Sequence, residues 1–401
     1  MSSSFKAVKI TDRVYWVGAI DWELRNFHGY RTSRGTSYNA YLILADEITL
    51  VDTVRRPFFD EMIARIRSVV DPTKIRHVIS THSELDHAGS LAPLLEVATS
   101  ASVVASAQGK TALADHMHWD RDVGVMADDG RMSLGDASLR FFEARMLHWP
   151  DSMFAFLEEE GVLFSNDAFG MHLASSARFA DELDAGICNQ EAAKYFANIL
   201  LPFCGPLSKL LGALEKTNLD LRLIAPDHGP VWRQQPEQII ERYARWATRP
   251  SSAKAVVVFD SMWQSTDQMA RAIADGLAQG GLQVEVMPLK AAHRSDVATE
   301  LLDAGALLVG SPTLNNQMYP TMVGLMSYLK GLRPQGLIGA AFGSYGWGGQ
   351  GVAQLDKALD EMGVERVEKG LRVRYVPDGE ALASCHALGQ RVAARLKEKL
   401  A

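Results

Sequence analysis

Short apolar runs separated by polar turns fill the first fifty residues. Residues 14–17, 38–44 and 48–51 each read as a strand, and Ala45, Asp46 and Glu47 make a hairpin between the last two. The polar segment 21–35 reads equally as a loop folded over a site or as plain surface. A buried strand is expected at 77–79 and a helix at 88–96. Further strands follow at 102–105 and 139–144, as a hairpin of 153–157 with 162–165, and at 221–225. An amphipathic helix over 236–248 puts Ile239, Ile240, Tyr243 and Trp246 on roughly one face, and 249–252 breaks it as a short linker.

From Lys254 the pattern changes to alternating strand and helix. Residues 255–259 are continuously apolar, as a parallel strand buried on both faces requires, and 284–287, 306–309 and 337–342 repeat that character. Helices are expected at 267–279, 321–332, 352–362 and 381–400. This half is a doubly wound α/β domain of about 150 residues, an ordinary domain size.

Composition narrows the function classes. The 401 residues suggest roughly two or three domains. Apolar residues at 47% and charged residues at 22% describe an ordinary globular chain. A net charge of −7 without a basic run argues against nucleic acid. Cys188, Cys204 and Cys385 lie far apart, which argues against a rubredoxin module, a zinc ribbon or a disulfide framework. The polar start, 1–10, is no signal peptide, and no apolar stretch is expected to span a bilayer, so a cytoplasmic location is expected.

The chemistry concentrates at strand ends. Residues 81–90 place His82, Glu84, Asp86 and His87 within six positions of a strand-to-helix turn. Two imidazoles and two carboxylates at such a turn suit a pair of metal ions better than one. His148, Asp167 and His228 each follow a strand as well, so the sheet delivers its polar residues to one rim. Asp52 ends the strand at 48–51 and is placed to hydrogen-bond the ligand loop. His116 and His118, at i and i+2, do not share a helix face and read as surface or packing residues.

In an open parallel sheet the ligand sits beyond the carboxyl ends of the strands. There the second half offers Ser261, Met262, Trp263, Gln264, Ser265 and Thr266, then Ser311, Pro312, Thr313 and Asn315, then Ser344, Tyr345, Gly346, Trp347 and Gly349. The first loop is rich in hydroxyls and opens a helix, which suits a phosphate. Trp263, Tyr345 and Trp347 can flank a flat ring, so the three loops together point to a flavin. A dinucleotide fold is disfavoured, because Gly-x-Gly-x-x-Gly does not follow the first strand.

With both halves in view, the sequence resembles the flavodiiron proteins over nearly its whole length. The resemblance rests on His-x-Glu-x-Asp-His at 82–87, then His148, Asp167 and His228, in order and spacing. It implies a metallo-β-lactamase-like αββα sandwich over 1–249 and a flavodoxin-like FMN domain over 250–401. By that resemblance His82, Glu84 and His148 hold one iron, Asp86, His87 and His228 hold the other, and Asp167 bridges them. It implies reduction of dioxygen to water or of nitric oxide to nitrous oxide, with electrons passing through FMN from a separate rubredoxin-like or flavin-reductase donor. It also implies a head-to-tail homodimer, or a tetramer built from it. His28, Tyr30, His172 and Tyr195 are candidates to hydrogen-bond the ligands or supply protons. One position departs from the family pattern: Gln264 stands between Trp263 and Ser265, where Gly is usual, and its side chain is expected to alter the phosphate turn locally.

The competing reading is a two-zinc hydrolase carrying a flavodoxin-like module. Hydrolases of this fold usually have His where this chain has Glu84. More carboxylate makes a harder, more negative site, better matched to iron than to zinc. A hydrolase also has no use for a flavin.

Overall fold

A computed structural model describes residues 5–401; the expectation that the chain starts without a signal peptide lies partly outside these residues. They divide into two compact units. One comprises residues up to His28 with Thr32–Tyr195 and Phe203–Ala244; the other comprises Gly29–Arg31, Phe196–Pro202 and Arg245–Ala401.

The first unit is built on two stacked sheets. The seven-stranded sheet runs, in spatial order, Val8–Lys9, Val14–Trp16, Tyr41–Ile43, Thr49–Val51, His77–Ile79, Ser102–Ala105 and Val123–Val125. The five-stranded sheet runs Arg131–Ser133, Ser138–Glu143, Met153–Leu157, Val162–Phe164 and Leu223–Ala225. The period of two along each strand sorts the core into layers. Tyr41, Val51, Ile79 and Val104 pack between the sheets against Leu139, Phe141, Ala155 and Phe164. Their neighbours Leu42, Leu50, Val78 and Val103 face the other way, onto Met62, Ile66, Leu91, Leu94 and Leu113 of the outer helices. On the far side Phe154 meets Phe169, which packs on Tyr243 of the helix Glu237–Ala247. The result is an αββα sandwich.

Two expected elements are divided. The run 38–44 becomes two strands, Thr36–Tyr38 and Tyr41–Ile43, the first pairing with Ala19–Asp21 outside the main sheets. Asn39 causes the break: its side chain accepts from Trp16 Nε1 at 2.8 Å and donates to the carbonyls of Pro226 and Gly229. The helix expected at 88–96 becomes Leu85–Ala88 and Leu91–Val97.

Residues Ala185–Glu215 correct the expectation that no stretch is long and apolar enough to span a bilayer. They form a 31-residue helical run whose hydropathy reaches 1.3. The run is broken into α, π, 3-10 and α segments, and Arg34 pairs with the buried Glu191 at 3.2 Å. Lys194 and Lys209 bound the uncharged stretch 195–208, so the sequence carries no uninterrupted apolar run of that length.

The second unit has a parallel sheet in the spatial order Gln283–Pro288, Ser252–Phe259, Ala304–Gly310, Ile338–Tyr345 and Glu365–Arg366, with Leu371–Arg374 also pairing on Ile338–Tyr345. That is order 2-1-3-4-5, the flavodoxin-like arrangement. The helices Ser265–Gln279 and Gly379–Leu400 cover one face, packing Met269, Ile273, Leu388 and Val392 onto Val257 and Leu308. They approach through facing glycines: a Cβ on Gly276 would lie 2.0 Å from the His386 carbonyl oxygen, and one on Gly389 2.2 Å from that of Ile273. The helix Arg294–Glu300 was not anticipated from the sequence.

Candidate metal and flavin sites

The strand His77–Ile79 ends in a tightly anchored turn. Asp52 accepts from both the amide and the hydroxyl of Thr81, at 2.8 and 2.7 Å, and Asp151 accepts from the Ser83 amide at 2.7 Å. Between these anchors His82 points inward, and the helix Leu85–Ala88 brings Asp86 and His87 to the same point. The Thr53 hydroxyl donates to the His87 carbonyl. Three other strand ends complete the cluster with His148, Asp167 and His228. At the last of these, Gly229 has φ +77°, and a Cβ there would sit 2.7 Å from Met171 Cγ. Only glycine fits that turn.

All seven side chains predicted from the sequence converge. His82, Glu84, His148 and Asp167 form one group that could hold a cation; His82, Asp86 and His87 form a second; His87, Asp167 and His228 form a third. Asp167 stands in the middle and faces both ways. Its Oδ2 lies 3.1 Å from His82 Nε2 and 3.0 Å from His148 Nε2, while its Oδ1 lies 3.6 Å from His87 Nε2 and 3.5 Å from His228 Nε2. Glu84 Oε2 is 3.1 Å from His148 Nε2, and Asp86 Oδ2 is 3.3 Å from both His87 and His228 Nε2. Donor atoms sharing one ion with bonds near 2.1 Å stand about 3.0–3.4 Å apart. Both oxygens of Asp86 and of Asp167, and His82 Nε2, are buried without a hydrogen-bond partner. Such atoms need a partner, and cations supply it; the residues present fit a pair of metal ions.

The electrostatics agree. Burial opposes charge on every member, yet the Asp167 carboxylate outweighs it at His82, and Asp167 with Glu84 pushes His148 up to about 9. Conversely His82 and His148 hold Asp167 well below the usual carboxylate range despite its burial, and His87 with His228 does the same for Asp86. In the protein alone the protons stand where cations would.

His228 is fixed in its tautomer: its Nδ1 donates to the Ser37 carbonyl at 2.6 Å, which leaves Nε2 facing the cluster. His172 packs on His228 at 4.7 Å between ring centroids, and its Nδ1 lies 2.9 Å from the Thr36 hydroxyl. Tyr195 packs on His172 at 5.1 Å. Burial, with His228 beside it, lowers His172 well below its usual range, and burial with Asp167 raises the Tyr195 phenol well above its own. His28 lies at the mouth, its side chain 77% exposed and its Nε2 3.5 Å from Glu84. So the segment 21–35, at least as far as His28, borders the site. Tyr30 is buried, in the segment that belongs to the other compact unit. Sequence reasoning passed over Thr36, Ser37 and Asp227. The signal for Asp227 was present, since it immediately precedes His228 in a strand-end turn.

In the second unit the three loops stand at the carboxyl ends of adjacent strands. Ser265 and Thr266 open the helix Ser265–Gln279, and Thr266 Oγ1 lies 3.2 Å from Ser344 Oγ. Ser261 Oγ is buried with no hydrogen-bond partner, as a phosphate ligand would leave it. Trp263 and Trp347 are 88% and 89% exposed, Met262 is exposed as well, and Tyr345 packs against Gly349. Large exposed indoles at a polar rim suit a flat ring, so this cradle fits FMN. Gln264 has φ +67°, a left-handed backbone that favours glycine, and its side chain is exposed. The middle loop is partly spent on itself. Ser311 accepts from the Tyr319 amide, Pro312 from the Ser311 hydroxyl, and Thr313 from the Gly351 amide. Asn315 and Asn316, both at positive φ, turn the two-residue hairpin between Thr313–Leu314 and Gln317–Met318. Gly346 accepts from Arg374, and Gly349, at φ +96°, precedes the helix Gln350–Glu361.

Comparison with known proteins agrees on both halves. Residues 36–229 match the ODP family beta lactamase model, and 257–389 match the flavodoxin model. A nitric oxide reductase from Moorella thermoacetica is 47% identical over 98% of this chain and 99% of its own length. The structure of rubredoxin oxygen:oxidoreductase from Desulfovibrio gigas superposes with a TM-score of 0.97 at 40% identity, over 99% of this chain and 100% of that one. The flavodiiron protein of Giardia intestinalis superposes at 0.95 with 32% identity, over 99% and 98% of the two chains. The chain belongs to the flavodiiron family. It is an oxidoreductase, and the flavodiiron reading stands over the zinc hydrolase.

Proposed function

We propose that this flavodiiron protein reduces dioxygen to water or nitric oxide to nitrous oxide, using electrons from a separate donor protein. The observation that carries the reading is Asp167, one oxygen turned to each half of a buried cluster of imidazoles and carboxylates. His82, Glu84 and His148 would hold one iron, Asp86, His87 and His228 the other, with Asp167 between them. When bound, the two irons would supply redox chemistry toward a diatomic substrate and the FMN would supply one-electron transfer from the donor.

The chain's own residues position and shield. Ser37 keeps His228 in the tautomer that presents Nε2, and the Asp52–Thr81 bonds hold the loop carrying His82. Both reductions consume protons. The buried Tyr195 phenol stays protonated, and His172 stays neutral with Thr36 at its Nδ1; both are placed to donate hydrogen bonds or pass protons beside His228. His28 stands where substrate would enter.

Metal and flavin analysis of the pure protein tests this. Two irons and one FMN per chain are expected, with the reduced protein reoxidised by dioxygen or by nitric oxide. A colourless zinc protein would return the reading to a hydrolase. Electron transfer is proposed to cross a head-to-tail homodimer, with the exposed Trp347 near the flavin edge as a contact. Mixing tests it: His87→Ala with Asp167→Asn in one chain, and altered Ser265 and Thr266 in the other, should give active heterodimers from two inactive parents. Inactive verified heterodimers would refute the crossing.

A further inference from the structure

Two of the clustered imidazoles share a second neighbour. The rings of His82 and His87 lie side by side, 4.8 Å between centroids and 35° between planes. Their Nε2 atoms face the two oxygens of Asp167. Their Nδ1 atoms face the opposite way, and both are buried without a hydrogen-bond partner. The carboxylate before them is that of Asp227, whose Oδ2 lies 3.7 Å from His82 Nδ1 and 3.8 Å from His87 Nδ1. Asp227 is itself buried.

The surrounding bonds leave this oxygen to the histidines. Thr81 Oγ1 lies 3.4 Å from Asp227 Oδ2 but 2.7 Å from Asp52 Oδ2, and it has one proton to give. That proton belongs to Asp52. The main chain of Asp227 is pinned on both sides, its amide donating to the Asn166 carbonyl and its carbonyl accepting from the Asn39 amide. The carboxylate is therefore fixed where two N–H groups can converge on one oxygen. A ligating histidine is oriented by the acceptor at its other nitrogen, which also fixes the tautomer and raises the basicity of the ligating one.

We propose that Asp227 is a positioning residue common to both metals, its one oxygen orienting a histidine ligand of each. This rests on the ligand assignment above, in which His82 serves one iron and His87 the other. Each remaining ligand histidine has a separate environment; His228, for one, is fixed by the Ser37 carbonyl. Asp227 thus links the retention of the two ions through the protein, on the side opposite the Asp167 bridge.

The test is ferrous-ion binding to the metal-depleted, FMN-loaded protein, by equilibrium dialysis with iron counting, alongside the retained FMN and the circular dichroism spectrum. Asp227→Ala and Asp227→Asn are expected to weaken both ions, each by about 10- to 100-fold, the usual cost of losing such a partner. Glu84→Gln should weaken one ion, which shows that the assay resolves single losses. A variant at Asp227 that loses neither ion, or only one, overturns the shared role. If Glu84→Gln and Asp167→Asn also retain both ions at full affinity, the ligand assignment itself fails, which is a different result. A second measurement needs no variant. In the unmodified protein loaded with zinc as a diamagnetic probe, nitrogen-15 resonances of His82 and His87 should show a protonated Nδ1 and a metal-bound Nε2. Metal at either Nδ1 overturns the proposal even if the Asp227 variants do not fold.

Discussion

Replacing Gln264 with Gly tests the backbone conformation of the first flavin loop. The residue sits at φ +67°, immediately before the helix Ser265–Gln279, and its side chain is exposed. A left-handed backbone costs a residue with a Cβ about 1–2 kcal/mol. Glycine removes that strain but makes the unfolded chain more flexible, which takes back about 0.4–1 kcal/mol. The balance favours Gly by about 0.5–1 kcal/mol, or about 1–4 °C in the melting of a unit this size. Gln264→Ala keeps the strain while shortening the side chain, so it should gain nothing. The turn already has the shape that Gly would adopt, so FMN affinity should change less than about threefold, under 1 kcal/mol. The assay is guanidine unfolding of the purified protein followed by FMN release, with flavin affinity from fluorescence quenching. Destabilisation by Gly, or an equal gain from Ala, would show that the backbone conformation is not the controlling term. FMN bound tenfold tighter by both variants would show instead that the Gln264 side chain obstructs the phosphate.

Glu84→His should weaken iron retention and raise the share of zinc bound, because it exchanges the hard oxygen 3.1 Å from His148 for a softer imidazole; unchanged iron and turnover would remove Glu84 from the ligands. Asp167→Asn should lose one or both irons and keep FMN, since an amide bridges poorly; two retained irons with full activity would contradict the bridge. Metal uptake should release protons. With His148 at about 9 in the protein alone, its imidazole is charged at neutral pH, so affinity should rise with pH between 7 and 9 by up to about tenfold per unit for each proton displaced. Pulse addition of ferrous ion in weak buffer measures the release, and no proton release would refute the apo-site charge.

The strands were legible because their burial is written in the sequence. Val78 and Ile79 face opposite layers, yet both are apolar, and a strand with both faces covered has to read that way. Polar kinks were not legible. Asn39 interrupts an apolar run, and what makes it a break is three bonds to residues whose numbers lie far away, Pro226 and Gly229 among them. The run Ala185–Glu215 was masked for a related reason. Its charge at Glu191 is tolerated in the interior by a partner that only the fold brings near, Arg34.

The same division separates the clustered side chains from the groups that contact them from behind. His82, Glu84, Asp86 and His87 lie within one turn, and His148, Asp167 and His228 repeat the strand-end position, so residue type and place together single out the side chains that converge. The groups facing the far nitrogens of the imidazoles carry no such mark. The Ser37 carbonyl belongs to the backbone, which any residue would supply, and its contact with His228 spans 191 positions. Thr36 and Asp227 are of types that turns use everywhere, and only their distance to a ring nitrogen distinguishes them. A motif records the atoms that touch a metal, because their chemistry restricts the residue type. The atoms that hold a ligand in its tautomer need only be acceptors in the right place, and that is a property of three-dimensional register rather than of spacing along the chain.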